Sequence, residues 1–216
     1  MAKNTYLCLS ASTTPGTSDG ATSPAIHLQN HKQMSAIEQI LQHNAAFVAA
    51  GEYDKYRAGK LPQRRVAVVA CMDTRLTLLL PAALGVKDGD IKLVKNAGGL
   101  VTGPTDSAMR SLLVGIYELG VREIMIVAHS DCGACHLSGE EMCHLMQQRG
   151  ISADTIVAFG NDNNLDVREW LEGFHHTAQA VASSVSLVKN HPLVPDDVTV
   201  QGFIIDTATG ALTPVT

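Results

Sequence analysis

Two short segments carry residues able to do chemistry together, Cys71-Met72-Asp73-Thr74-Arg75 and His129-Ser130-Asp131-Cys132. Two thiolates and one imidazole form a borderline-soft ligand set suited to zinc. A His and a Cys three positions apart can reach one ion where a strand gives way to a turn. Cys71, His129 and Cys132 would leave the fourth tetrahedral position open, the pattern of a catalytic rather than a structural zinc ion. Asp73 and Arg75 follow the first ligand at alternate positions. Such a pair gives a carboxylate kept ionised by a fixed cation, able to accept a proton from zinc-bound water. The same Asp73 could instead fall on the open coordination position and shut the site.

Each residue alone has a plainer reading. Free Cys is among the most buried residue types, so Cys71 could be a structural thiol. His129 could be a core histidine, Asp73–Arg75 an ordinary ion pair and Gly98-Gly99 a simple turn; the combination is what argues for chemistry. A rival motif overlaps the site. Cys132-Gly133-Ala134-Cys135 is a C-x-x-C after a strand and at a helix start, where a helix N-terminus would lower the thiol pKa for redox work. That reading leaves Cys71, Asp73 and His129 unused, whereas the zinc reading leaves Cys135 spare. Adding His136 gives the haem-attachment pattern C-x-x-C-H, with no export signal to support it. A non-catalytic zinc module would have no need of Asp73 and Arg75 beside an open position. His136, Cys143 and His144 match no familiar ligand spacing and read as surface or packing residues.

The elements that must position these groups follow from periodicity. Val66–Ala70, Ile91–Lys95 and Glu123–Ala128 are runs of strand length; the first throughout and the third from Ile124 are continuously apolar, which suits strands buried on both faces of a parallel sheet. The two chemical segments follow the first and third runs directly, at the carboxyl ends where such sheets gather ligands. Met34, Ile37, Leu41, Ala45 and Val48 recur at helical spacing, with Ser35 near the start and Gly51 at the end. Further helices are expected from Pro104 to about Leu119, from about 133 to 148, and as one long amphipathic helix from about Asp166 to Asn190. Val198–Asp206 and Ala211–Val215 flank a turn at Thr207–Gly210 and read as a terminal hairpin. The expected class is α/β, with a mostly parallel central sheet flanked by helices.

Of the 216 residues, 45% are apolar and 17% charged, and the net charge is −5. That is enough apolar material for one core. Residues 1–30, rich in Ser, Thr, Gly and Pro, read as a flexible arm, and 31–216 as a single zinc-dependent catalytic domain. Scattered Lys and Arg give no draw toward nucleic acid or anionic membrane. No stretch approaches the roughly 18 apolar residues that a membrane span needs. Five cysteines, three of them within 132–143, argue for reduced thiols and a cytoplasmic setting over a disulfide scaffold. An arm poor in acidic residues and without Arg leaves an organellar address open.

The motifs converge on one family. The C-x-D-x-R of 71–75, Lys95-Asn96-Ala97-Gly98-Gly99, the run from Arg122 to His129 and Asp131-Cys132-Gly133 resemble the β-class carbonic anhydrases. His191-Pro192 after the last helix and Gly202-Phe203-Ile204-Ile205-Asp206 before Thr209-Gly210 extend the resemblance over roughly 35–216. It implies a β-carbonic-anhydrase-like fold in which zinc-bound hydroxide attacks carbon dioxide to give bicarbonate. It implies Cys71, His129 and Cys132 as zinc ligands, and Asp73 with Arg75 as the dyad that orients or deprotonates the water. Gly98 and Gly99 would bring main chain close to the substrate pocket. Family members form homodimers or larger homo-oligomers, and the helix from Met34 would then pack on a partner subunit. Thr74 stands where Ser is frequent in the dyad motif, and the hydroxyl is kept. A branch of the same fold hydrolyses carbonyl sulfide or carbon disulfide with the same ligands, and these motifs do not separate the two.

Overall fold

In the computed structural model the described residues are 34–216, so the expected arm over 1–30 lies outside them. The chain runs α1 (Ala36–Ala49), β1 (Val66–Cys71), α2 (Leu76–Leu84), β2 (Ile91–Asn96), α3 (Ser107–Leu119) and β3 (Glu123–His129). It continues through α4 (Gly139–Gln148), α5 (Ala153–Asn163), α6 (Val167–Leu171), α7 (Thr177–Lys189), β4 (Thr199–Ile205) and β5 (Leu212–Val215). It divides into two compact units, one ending at Glu52 and one spanning Tyr53–Thr216.

The second unit is organised by one sheet of order β2-β1-β3-β4-β5. β2, β1, β3 and β4 pair in parallel, and β5 returns antiparallel to β4. This is the expected α/β architecture with its terminal hairpin. Strand side chains alternate between faces. Ala67 and Val69 of β1 and Ile124, Ile126 and Ala128 of β3 therefore meet Met109 and Leu112 of α3 and Val181 and Val188 of α7. Val68, Ala70 and Val127 turn the other way, against Leu76 and Leu80 of α2. Full burial of each such Leu or Val contributes about 1.5–3 kcal/mol, so the two central strands are the firmest part of the fold. β1 and β3 are immediate neighbours in register Ala70↔Val127. Their carboxyl ends, Cys71 and His129, come out side by side.

In the first unit, α1 begins as its sequence predicts. Ser35 accepts the Glu38 amide and Glu38 reaches back to the Ser35 amide, a reciprocal capping box. None of its residues is buried, and its apolar stripe stays exposed, with Ile37 at 70% and Leu41 at 62%.

Three helices differ from expectation. The one expected from Pro104 starts at Ser107, because Asp106 is the cap: its carboxylate accepts the Met109 amide at 2.6 Å and the Thr102 amide at 2.7 Å. The helix expected over 133–148 is a short 3-10 turn at Gly133–His136, followed by α4 behind a Ser138 cap. The long helix expected from Asp166 to Asn190 is α6 and α7, separated by Glu172–His176. There the Gly173 amide donates to the Leu137 carbonyl and the Phe174 amide to the Ala134 carbonyl, bonds that a continuous helix would keep internal. A Cβ on Gly173 would stand 2.1 Å from the Ala134 oxygen, so only glycine allows the approach. The break turns Phe174 inward, where it packs against both core clusters. Periodicity left α2 and α5 unassigned.

Gly99 is the tightest point near the strand ends. Its φ is +70°, and a Cβ there would lie 2.4 Å from the Cys71 amide nitrogen and 3.0 Å from the Val127 carbonyl. Gly99→Ala is expected to cost about 2–4 kcal/mol through combined strain and overlap. Urea denaturation of the two proteins side by side checks this; an unchanged midpoint would show that the 97–99 turn can move away from β1.

Candidate metal centre

The ends of β1 and β3 bring three buried side chains together. The ligand atoms of Cys71, His129 and Cys132 all lie within 4.8 Å of one another, and the trio could hold a metal ion. The two sulfurs are 3.9 Å apart. Two thiolates on one tetrahedral zinc, each at about 2.3 Å, stand about 3.8 Å from each other. The spacing of the thiols already matches that geometry.

The imidazole supplies the second test of fit. His129 Nδ1 lies 2.8 Å from the Ser130 carbonyl oxygen, and a carbonyl can only accept, so Nδ1 carries the proton. Nε2 therefore presents its lone pair. That nitrogen is fully buried and has no hydrogen-bond partner among the described residues. Leaving a buried polar atom unpaired costs about 1–3 kcal/mol, unless a ligand takes the lone pair. A histidine whose far nitrogen donates to a carbonyl while the near one is free is the usual arrangement of a metal ligand.

Beside the trio, Arg75 grips Asp73 from three donors. Its amide and Nε donate to Oδ1 at 2.8 and 3.0 Å, and Nη2 donates to Oδ2 at 2.8 Å. The guanidinium fork, followed by the Arg75 amide, holds the Asp73 carboxyl well below the usual carboxylate range. Asp73 Oδ2 is 3.8 Å from His129 Nε2, too far for a hydrogen bond. The carboxylate thus borders the trio while both its oxygens belong to Arg75. Arg75 has a second anchor that sequence reasoning missed. Nη1 donates to Asp131 Oδ2 at 3.1 Å and Nη2 to the Asp131 carbonyl at 2.9 Å. Asp131 adopts φ +53°, a left-handed turn. The one available signal was its place immediately before a candidate ligand.

The remaining candidates fall as follows. Gly99 abuts the main chain of β1 beside Cys71, and Gly98 packs toward Phe174 and Ala134. Cys135 Sγ lies 3.3 Å from the Thr177 hydroxyl. Cys143 is buried, and His144 Nε2 meets the Gln148 amide nitrogen at 2.9 Å. Burial, reinforced by neighbouring Cys71, pushes the Cys132 thiol up to about 11. A C-x-x-C nucleophile is activated in the opposite direction, so the environment of Cys132 does not activate it for redox duty.

The carbonic anhydrase family model matches residues 66–212 of the chain. The chain belongs to the β-carbonic anhydrase family. Among relatives in this family, the protein named "Putative carbonic anhydrase YvdA" from Bacillus subtilis (strain 168) is 44% identical over 180 residues, 83% of this chain and 91% of the relative. A carbon disulfide hydrolase of Acidithiobacillus thiooxidans is 32% identical over 158 residues, 70% of this chain and 77% of the relative. The crystal structure of β-carbonic anhydrase isoform I from Trichomonas vaginalis superposes with a TM-score of 0.76 at 36% identity, covering 84% of this chain and 98% of that one. No described helix is long and apolar enough to cross a membrane.

Thiolates bind metal and thiols do not, so uptake by this trio must displace the Cys132 proton. Because the Cys132 pKa of about 11 is above neutrality, the protonated form dominates the metal-free site at pH 6–9. Apparent zinc affinity should therefore rise by at least about tenfold per pH unit across that window. Chelator-competition titrations at several pH values check this; a flat profile would mean that Cys132 is not displacing a proton.

Proposed function

We propose that this chain catalyses the reversible hydration of carbon dioxide to bicarbonate, with zinc held by Cys71, His129 and Cys132. The observation that carries the reading is the buried, unpaired Nε2 of His129, gathered with two thiols whose spacing suits one tetrahedral ion. Zinc bound there supplies a Lewis acid that brings the pKa of a coordinated water to about 7. The chain's own residues do the rest. Asp73, kept ionised by Arg75, accepts a hydrogen bond from the attacking water and turns its lone pair toward the substrate carbon. That water contributes its oxygen to bicarbonate and releases one proton. Because Arg75 engages both oxygens of Asp73, the carboxylate is restrained from closing the fourth coordination position itself. Gly98 and Gly99 form a main-chain wall of the substrate pocket, and residues 31–216 act as the catalytic domain.

The 44% identity to a protein named "Putative carbonic anhydrase YvdA" supports carbon dioxide as the first reading. Hydrolysis of carbon disulfide is the second reading, favoured by the 32% identity to a carbon disulfide hydrolase. The need for free thiols at the centre fits a reducing compartment such as the cytoplasm. The exposed apolar stripe of α1 fits burial against a second copy, giving a homo-oligomer.

Stopped-flow carbon dioxide hydration on zinc-loaded protein tests the central reading, with carbon disulfide hydrolysis assayed in parallel. Asp73→Asn should retain one zinc per chain while kcat falls about 10²–10⁴-fold, the range for loss of a positioned proton acceptor. Unchanged turnover in that variant would remove Asp73 from the mechanism, and turnover of carbon disulfide alone would move the chain to the second reading. For the assembly, Leu41→Asp should lower the mass seen by sedimentation equilibrium; an unaltered mass would assign the α1 stripe elsewhere.

A further inference from the structure

Ser130, whose carbonyl meets His129 Nδ1, is anchored through its amide and its hydroxyl by the end of β4 and the start of the C-terminal hairpin loop. The Ser130 amide donates to the Ile205 carbonyl at 3.0 Å, extending the β3–β4 ladder one residue past His129. The Thr207 amide donates to Ser130 Oγ at 3.0 Å, and the two hydroxyls lie 3.2 Å apart. Thr207 is held in turn by a tight loop. Asp206 Oδ1 accepts the amides of Ala208 and Thr209 at 3.0 and 2.8 Å and the Thr209 hydroxyl at 2.8 Å. The Asp206 and Ala211 main chains close the loop, with the Asp206 amide donating to the Ala211 carbonyl at 2.9 Å. Nothing in this loop reaches the trio directly. Its hydrogen bonds toward the site end on the Ser130 hydroxyl, which Thr207 and the Asp206 carboxylate share.

We propose that Ser130 and Thr207 are positioning residues, a hydroxyl clamp that orients the Ser130 peptide so that its carbonyl keeps the proton of His129 on Nδ1 and Nε2 free for the metal. The inference rests on His129 being a zinc ligand. Without the Ser130 hydroxyl the Thr207 amide loses its acceptor, the peptide carrying the carbonyl is freer to rotate, and Nδ1 loses the partner that selects its protonation. The Nε2-protonated tautomer, which cannot ligate through Nε2, then competes. Outer partners of this kind change metal affinity by about 10–100-fold in other metal sites.

The experiment uses metal-free full-length protein with ¹⁵N-labelled histidine, followed by zinc titration against a chelator. In the wild type, two-bond ¹⁵N–¹H spectra should show His129 in a single Nδ1-protonated form. Ser130→Ala should show both tautomers and bind zinc about tenfold more weakly. Thr207→Val should move both readouts the same way, while Ser130→Thr and Thr207→Ser should restore them. A merely structural role would lower the melting temperature without altering the tautomer, so that pattern overturns the proposal. So does a single tautomer with wild-type zinc affinity in both Ser130→Ala and Thr207→Val. If Ser130→Ala folds poorly, Ser130→Gly decides in its place, because Thr207→Val keeps the amide that donates to Ser130 Oγ. His129→Ala separates the two levels of argument. Should it bind zinc as the wild type does, the ligand assignment fails, and the tautomer spectra still judge the clamp.

Discussion

A fully buried imidazole with one nitrogen satisfied and the other facing two thiols is the constraint on which the rest of the site depends. Its burial has a cost that no group among the described residues offsets, because Asp73 at 3.8 Å is too distant and already committed to Arg75. Such an arrangement persists in a folded chain only if the surrounding strands over-determine it. β1 and β3 do so. Their central residues are fully or nearly fully buried, and their parallel register brings the residues at their carboxyl ends together. A parallel sheet in this way converts two distant sequence segments into one concave site, with no long loop required to carry the ligands.

The electrostatics follow from the same corner. Arg75 sits between two carboxylates, Asp73 with two engaged oxygens and Asp131 with one oxygen and its main-chain carbonyl. A planar guanidinium can serve both because its donors lie in a rigid fork, which an ammonium could not reproduce. Lysine at 75 would keep the backbone amide on Asp73 Oδ1 but lose the two-pronged side-chain grip that spans both oxygens. The partial exposure of the Asp131 pair limits its energetic worth. Its value lies in aim, fixing where Arg75 stands and hence which way Asp73 turns.

Much of this was legible in the sequence, and the reasons are specific. Val66–Ala70 and Ile124–Ala128 are uninterrupted apolar runs because both their faces are covered, and such runs announce a parallel sheet and the position of its carboxyl ends. Cys71, Asp73, Arg75, His129 and Cys132 follow those ends directly, so the local pattern sufficed to gather them. The failures share a cause as well. The expected helices over 133–148 and 166–190 both break where the 134–137 turn meets Gly173 and Phe174. That contact joins segments nearly forty residues apart, and periodicity along one segment carries no trace of it. Asp131 and Thr207 were missed for the same reason: their partners lie 56 and 77 residues away.

These long-range contacts also couple folding to metal affinity. The trio draws on residues 71, 129 and 132, the His129 tautomer on Ser130, and Ser130 on a loop at 206–211. No unfolded chain holds these in proximity, so any ion bound by the native trio and not by the unfolded chain adds RT ln(1 + [L]/Kd) to stability, about 4 kcal/mol when the free ion is a thousandfold above Kd. The reverse coupling holds too. Under the proposed reading, loosening the hairpin loop or the 97–99 turn weakens metal binding, because Gly99 lies against the Cys71 amide and the Thr207 amide holds the hydroxyl of Ser130, the residue after His129. The terminal hairpin therefore does more than extend the sheet. Its loop holds the hydroxyl of Ser130, the residue that follows His129 on the adjacent parallel strand, and this ties the last elements of the chain to the trio at its centre.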